Sequence, residues 1–129
     1  MPGKEYYAPA DARSTTQRAY SRAVITEGGR TIWLAGQTAQ DRKADFEAQV
    51  REIFDKLAET IRAVGGSGLH DMVTMTVFLK DARHGDRFVE MRREIFKENF
   101  PASALITVTG FARPETLVEV QGVAVVAGK

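Results

Sequence analysis

The sequence has no cysteine, which excludes a disulfide framework, a thiolate nucleophile and cysteine-ligated zinc. Its two histidines, His70 and His84, lack the i, i+4 partner of a helical metal pair, so both are expected at the surface and no metal site is expected. Neither charge is in excess. The 18 Lys+Arg stand against 17 Asp+Glu, a formal net charge of +1, which gives no general drive toward nucleic acid or an anionic membrane. No apolar run approaches transmembrane length, and the opening residues Met1-Pro-Gly-Lys-Glu-Tyr-Tyr hold no signal-peptide stretch. A cytoplasmic protein with neither membrane nor nucleic-acid partners is the expectation. The glycine clusters Gly28-Gly29-Arg30 and Gly65-Gly66-Ser67-Gly68 lack phosphate-loop spacing and read as turns.

What is present is enough chain for one domain over residues 1–129, with a core of its own. The segment up to about residue 19 shows no period and reads as an irregular arm that holds at most a short strand. Arg22 to Glu27 and Thr31 to Ala35 are β-type runs around Gly28-Gly29, the signal of a hairpin, and Gly36-Gln37 ends the second run. Phe46, Val50, Ile53, Leu57, Ile61 and Val64 recur at helical spacing, between an Asp45 cap and a Gly65-Gly66 stop. Met72 to Leu79 reads as a strand, and Phe88, Met91, Ile95 and Phe96 as a second helix ending near Asn99, ahead of Pro101. Arg92, Arg93 and Lys97 interleave with Glu90, Glu94 and Glu98, the pattern of a solvated helix face. Two closing strands, 104–108 and 117–126, flank a loop holding Gly110 and Pro114. The order ββαβαββ predicts an α+β sandwich with both helices on one face of a mixed sheet.

The last strand carries the anomaly. Both of its faces are largely apolar, so it is expected to be central and covered on both sides. Glu119 interrupts it together with Gln121, and a carboxylate in such a run must find a partner, shift its pKa or face a wet cavity. Thr74, Thr76 and Glu119 spoil the second sheet face as a core, and sister subunits are expected to cover it. Tyr20, Gly36, Gln37, Ser103 and Arg113, near strand ends, join Glu119 as candidate site residues.

Several short motifs stand in a specific order. They are Ala19-Tyr20-Ser21-Arg22-Ala23, Trp33-Leu34-Ala35-Gly36-Gln37, Asp71 to Asp81 after Gly65-Gly66, Asn99-Phe-Pro-Ala102, and Leu117 to Ala124. In these the chain resembles the Rid family, also called YjgF/YER057c/UK114, over nearly all its length. The resemblance implies a chorismate-mutase-like α+β fold, a homotrimer with a central barrel, and ligand clefts between subunits. It also implies cofactor-free hydrolysis of enamines and imines, such as 2-aminoacrylate, to a keto acid and ammonia. By the same resemblance Glu119 holds and deprotonates the water, Tyr20 donates to the substrate, and the Gly36 turn holds an oxygen. Gln37 borders that strand end. Where the deaminase branch has arginine after Pro-Ala, this chain has Ser103, which loses the bidentate grip on a substrate carboxylate; Arg113 is the candidate replacement cation. Two functions follow: a deaminase for a small metabolite other than the usual 2-imino acids, for instance an aminomuconate-like intermediate, or a trimeric metabolite-binding or regulatory protein. Ribonuclease activity, described for some relatives, ranks third.

Overall fold

The structure, a computed structural model, describes residues 3–9 and 17–128. In chain order it contains β1 (Gly3–Tyr7), β2 (Ala23–Glu27), β3 (Arg30–Gln37), α1 (Phe46–Ala63), β4 (Met72–Leu79), α2 (Gly85–Phe96), β5 (Ala102–Thr107) and β6 (Val118–Val126). The expected α+β architecture is present, with a first strand inside the arm. Pro2, Ser14, Thr15 and Thr16 of that arm lie outside the described residues.

The main sheet has the order β3-β6-β4-β5. β6 pairs antiparallel with β3 and β4, and β4 pairs parallel with β5. The parallel pair requires a crossover, and α2 supplies it. One expectation is corrected here. The strands on either side of Gly28-Gly29 turn but do not form a hairpin: β2 pairs with β1 in a separate two-stranded sheet, and β3 pairs with β6. The closing strands are not paired with each other either, because β4 lies between β5 and β6.

β6 is central, and Val118, Val120, Gly122, Ala124 and Val126 all turn inward and are buried. Opposite them α1 buries Val50, Ile53, Phe54, Leu57 and Ile61, and α2 buries Phe88, Met91 and Phe96 in the same cluster. Each such side chain contributes about 1.5–3 kcal/mol on leaving water. Asp45 caps α1 by accepting from the Ala48 N–H at 2.9 Å. Its far end closes where the Gly66 N–H returns to the Ile61 carbonyl at 2.8 Å, with Gly65 at φ 103°, a position that favours glycine. α2 stops at Phe96, short of Asn99, as Lys97 and Asn99 turn to φ 67° and 54°. Neither histidine stands free: His84 stacks on Phe46 at 4.1 Å, and His70 Nε2 lies 2.7 Å from the Phe96 carbonyl oxygen.

The second face of the sheet is open within one chain. Trp33 is 79% exposed and Ile106 44%. Around them lie Val123, Thr74, Thr76, Gln121 and Phe78, none of them buried.

Candidate functional site

Glu119 sits between two core residues, Val118 and Val120, so strand alternation turns its side chain away from the helices. It pairs across the ladder with Phe78. The Glu119 side chain faces a cavity. Glu119 lines a cleft of about 380 Å³ with Gly36, Gln37, Lys56, Phe111 and Arg113, and no described residue hydrogen-bonds or ion-pairs with its carboxylate. β3 loses register between Leu34 and Gln37, a bulge that brings Gly36 against this carboxylate. A Cβ built on Gly36 would run into Glu119 Oε2. The glycine therefore serves a close approach, and what approaches is the side chain of β6. The strand continues through Gly36 to Gln37, where the sequence suggested an end.

The loop beside the cleft is tied down from two sides. Buried Gln49 of α1 donates from Nε2 to the carbonyls of Ala44 and Glu115 at 3.1 and 3.0 Å and accepts the Leu117 N–H at 2.9 Å. Lys80 Nζ donates to the Pro114 carbonyl at 3.0 Å. Arg113 is thus carried on a fixed backbone, with its side chain exposed at the cleft wall. Lys56 of α1, a second cation at the cleft, donates to the Thr38 carbonyl at 2.8 Å and pairs with Glu52 at 3.7 Å.

Tyr20 and Ser103 lie elsewhere. The Ser21 N–H donates to the Pro101 carbonyl at 3.0 Å, and the Ser21 hydroxyl to the Phe100 carbonyl at 2.7 Å. These bonds set Tyr20 beside the start of β5. There Tyr20 and Ser103 line a recess of about 110 Å³ with Arg18, Val89, Arg92 and Leu105. Arg92 is the surprise: it is 2% exposed, where the charge pattern placed it on a solvated face. Its Nη1 donates to Ser103 Oγ at 2.7 Å and its Nη2 to the Arg18 carbonyl at 3.1 Å. The guanidinium lies 5.3 Å from the Phe88 ring centre. Burial first, then the like charge of Arg18, push its pKa down to about 10, against a smaller upward pull from Tyr20. It still carries its full charge at neutral pH. The sequence held the signal: Phe88, Arg92 and Phe96 recur every fourth residue, which puts the arginine on the apolar stripe.

The six candidates therefore fall into two groups within one chain. Ser103 pairs with core-facing Met75, whereas Glu119 pairs with Phe78 on the open face. The strand offsets separate them by about 10 Å across the sheet and about 10 Å along it. Among the described residues no group of three or more His, Asp or Glu side chains is placed to hold a metal, and no helix is long and apolar enough to cross a membrane.

A mixed sheet backed by two helices, with a carboxylate cleft at one strand end, defines a small α+β protein built around a ligand-sized recess. Residues 11–126 match the profile of the family described as endoribonuclease L-PSP, and the chain belongs to this family, the YjgF/Rid/UK114 family. It is 31% identical over 107 residues to a RutC family protein of Sulfurisphaera tokodaii, covering 78% of this chain and 82% of that one. It is 27% identical over 112 residues to the human 2-iminobutanoate/2-iminopropanoate deaminase, covering 82% and 79%. The crystal structure of the Rid protein YyfB from Yersinia pestis shares the fold with a TM-score of 0.84 at 22% identity, over 95% of this chain and 98% of that one.

Proposed function

We propose that this chain is a cofactor-independent enamine or imine deaminase acting on a small metabolite other than the usual 2-imino acids, for instance an aminomuconate-like compound. The observation that carries this reading is Glu119, a carboxylate without a partner among the described residues that faces a cleft from an otherwise apolar strand. The cleft volume lies in the range of small-molecule sites. In the reaction the enamine carbon takes a proton to give an iminium, and water adds to the iminium carbon. The C–N bond then breaks, leaving a carbonyl and ammonia. Glu119 orients the water, accepts its proton and returns it to the departing nitrogen; solvent supplies the proton to the enamine carbon and takes one back from the carbinol hydroxyl as the C–N bond breaks. The backbone N–H at Gly36 holds an oxygen, Tyr20 donates to the substrate, and Arg113 and Gln37 shape the cleft.

Glu119 and Tyr20 belong to different groups of one chain, so the reading includes a homotrimer whose clefts join the Glu119 group of one subunit to the Tyr20 and Ser103 group of its neighbour. The exposed face around Trp33 and Ile106 supports this assembly. Light scattering on the purified protein is expected to give the mass of three chains; the mass of one would remove the shared cleft.

Gly36→Ala is expected to lower turnover about tenfold with little change in melting temperature. The three atoms nearest the added methyl all belong to the Glu119 side chain, so the carboxylate is expected to be displaced and the fold kept. Turnover and thermal melting of the variant check both halves; full activity would separate the Gly36 contact from catalysis.

The test of the reaction itself is ammonia release from 2-iminobutanoate and 2-aminomuconate generated in situ. Ser103, in the place of a carboxylate-gripping arginine, also suits a non-catalytic metabolite-binding protein. Saturable binding without ammonia release would favour that second reading.

A further inference from the structure

Arg92 is a buried cation with no carboxylate paired to it among the described residues. A guanidinium has five N–H donors. Here one bond goes to a hydroxyl and one to a carbonyl, both neutral oxygens, and Nε has no partner. Neighbouring Arg18 has its own counterion, Asp86, at 2.7 Å. The Arg92 charge thus has no paired anion among the described residues, inside a recess whose other polar walls are Arg18, Tyr20 and Ser103. Burying a cation without an anion is costly, and an arriving anion would recover that cost.

We propose that Arg92, acting with the Ser103 hydroxyl, binds the carboxylate of the substrate, so that the cation at this point comes from α2 and not from β5. The inference rests on the deaminase reading only in naming the anion as the substrate's own. The geometry supports an anion on three counts. Ser103 Oγ accepts from Arg92 at 2.7 Å, and its own proton has only the Ala104 carbonyl at 3.5 Å, so the hydroxyl is polarised and can donate to an incoming oxygen. The recess, about 110 Å³, has room for a carboxylate and little more. The guanidinium plane is held by the Phe88 ring and the Arg18 carbonyl, so little freedom is lost on binding. Arginine on the helix and serine on the strand together replace a single arginine on the strand, with the charge set further back. A longer acid would fit that depth.

The direct readout is the ¹⁵N–¹H signal of Arg92 Nε, followed while 2-oxobutanoate is titrated into the wild-type protein, with its methyl ester as the uncharged control. A saturable shift with the acid and none with the ester is expected. Arg92→Met should weaken binding of the acid at least tenfold, and the double variant Arg92→Met/Ser103→Arg should recover most of it, which a purely structural arginine would not allow. If Arg92→Met does not fold, the wild-type titration and the smaller Ser103→Ala change, with an expected loss of about threefold, carry the test. No shift at Nε, or equal binding by Arg92→Met, overturns the proposal. The two readings also fail separately. A shift at Nε without ammonia release from any imine keeps the anion site and removes the deaminase. Turnover in Arg92→Met with unchanged KM keeps the deaminase and removes the anion site.

Discussion

Glu119→Gln is expected to lower the rate of ammonia release by about 10²–10⁴-fold, with KM changed far less. The replacement keeps shape and size and removes only the charge and basicity. Because no described residue hydrogen-bonds to the Glu119 carboxylate, an amide leaves no fixed donor facing it and opens no cavity, so the fold is expected to hold. The rate loss follows from the chemistry. Water adds slowly to an iminium unless its proton is taken as the C–O bond forms, and among the residues lining this cleft Glu119 is the only carboxylate. Single-turnover rates and thermal melts of the variant beside the wild type check the prediction. Equal rates would assign the proton transfer elsewhere.

Phe88→Ala is expected to destabilise the protein by about 3–5 kcal/mol, seen as a fall in melting temperature of roughly 10–20 °C at matched protein concentration. Phe88 is fully buried. It packs 5.9 Å from the Phe54 ring on α1, so its loss opens a void where the two helices meet. The same ring underlies the Arg92 guanidinium. The variant should therefore also lose carboxylate binding, more than the stability loss alone explains. Calorimetric melts and titration with 2-oxobutanoate at a temperature where the variant remains folded check the two effects separately. A melting temperature within a few degrees of wild type would show that the helix pair closes over the gap.

The elements themselves were legible because their signals are local. Asp45, the 46–61 stripe and the Gly65-Gly66 stop write α1 in full, and the apolar alternation of 118–126 makes β6 central. Pairing was less legible. Gly28 and Gly29 adopt φ 72° and 83°, as a tight turn asks, but strand partners are chosen by burial over the whole sheet, and β3 gains more by lying against β6. The same holds at the end of the chain, where α2 carries β5 to the far side of β4 and the long loop 108–117 crosses back. At the site, Glu119 was visible as a charge in an apolar run, and Gly36 as a glycine at the end of a β-type run. What Gly36 accommodates was not, since it depends on a bulge. Arg92 was misread because interleaved charge and i, i+4 spacing give opposite answers along α2, and only packing against Phe88 and Ser103 decides between them.

The proposed deaminase function rests on Glu119, a carboxylate that no described residue hydrogen-bonds or ion-pairs with and that lines the cleft. Its most direct test is ammonia release by the purified, chelator-treated protein from enamines and imines generated in situ, with 2-iminobutanoate and 2-aminomuconate as the two ends of the size range and Glu119→Gln run in parallel. Release that favours the larger substrate and falls at least a hundredfold in the variant is the predicted result. Absence of release from every substrate, or release that Glu119→Gln leaves intact, would contradict it.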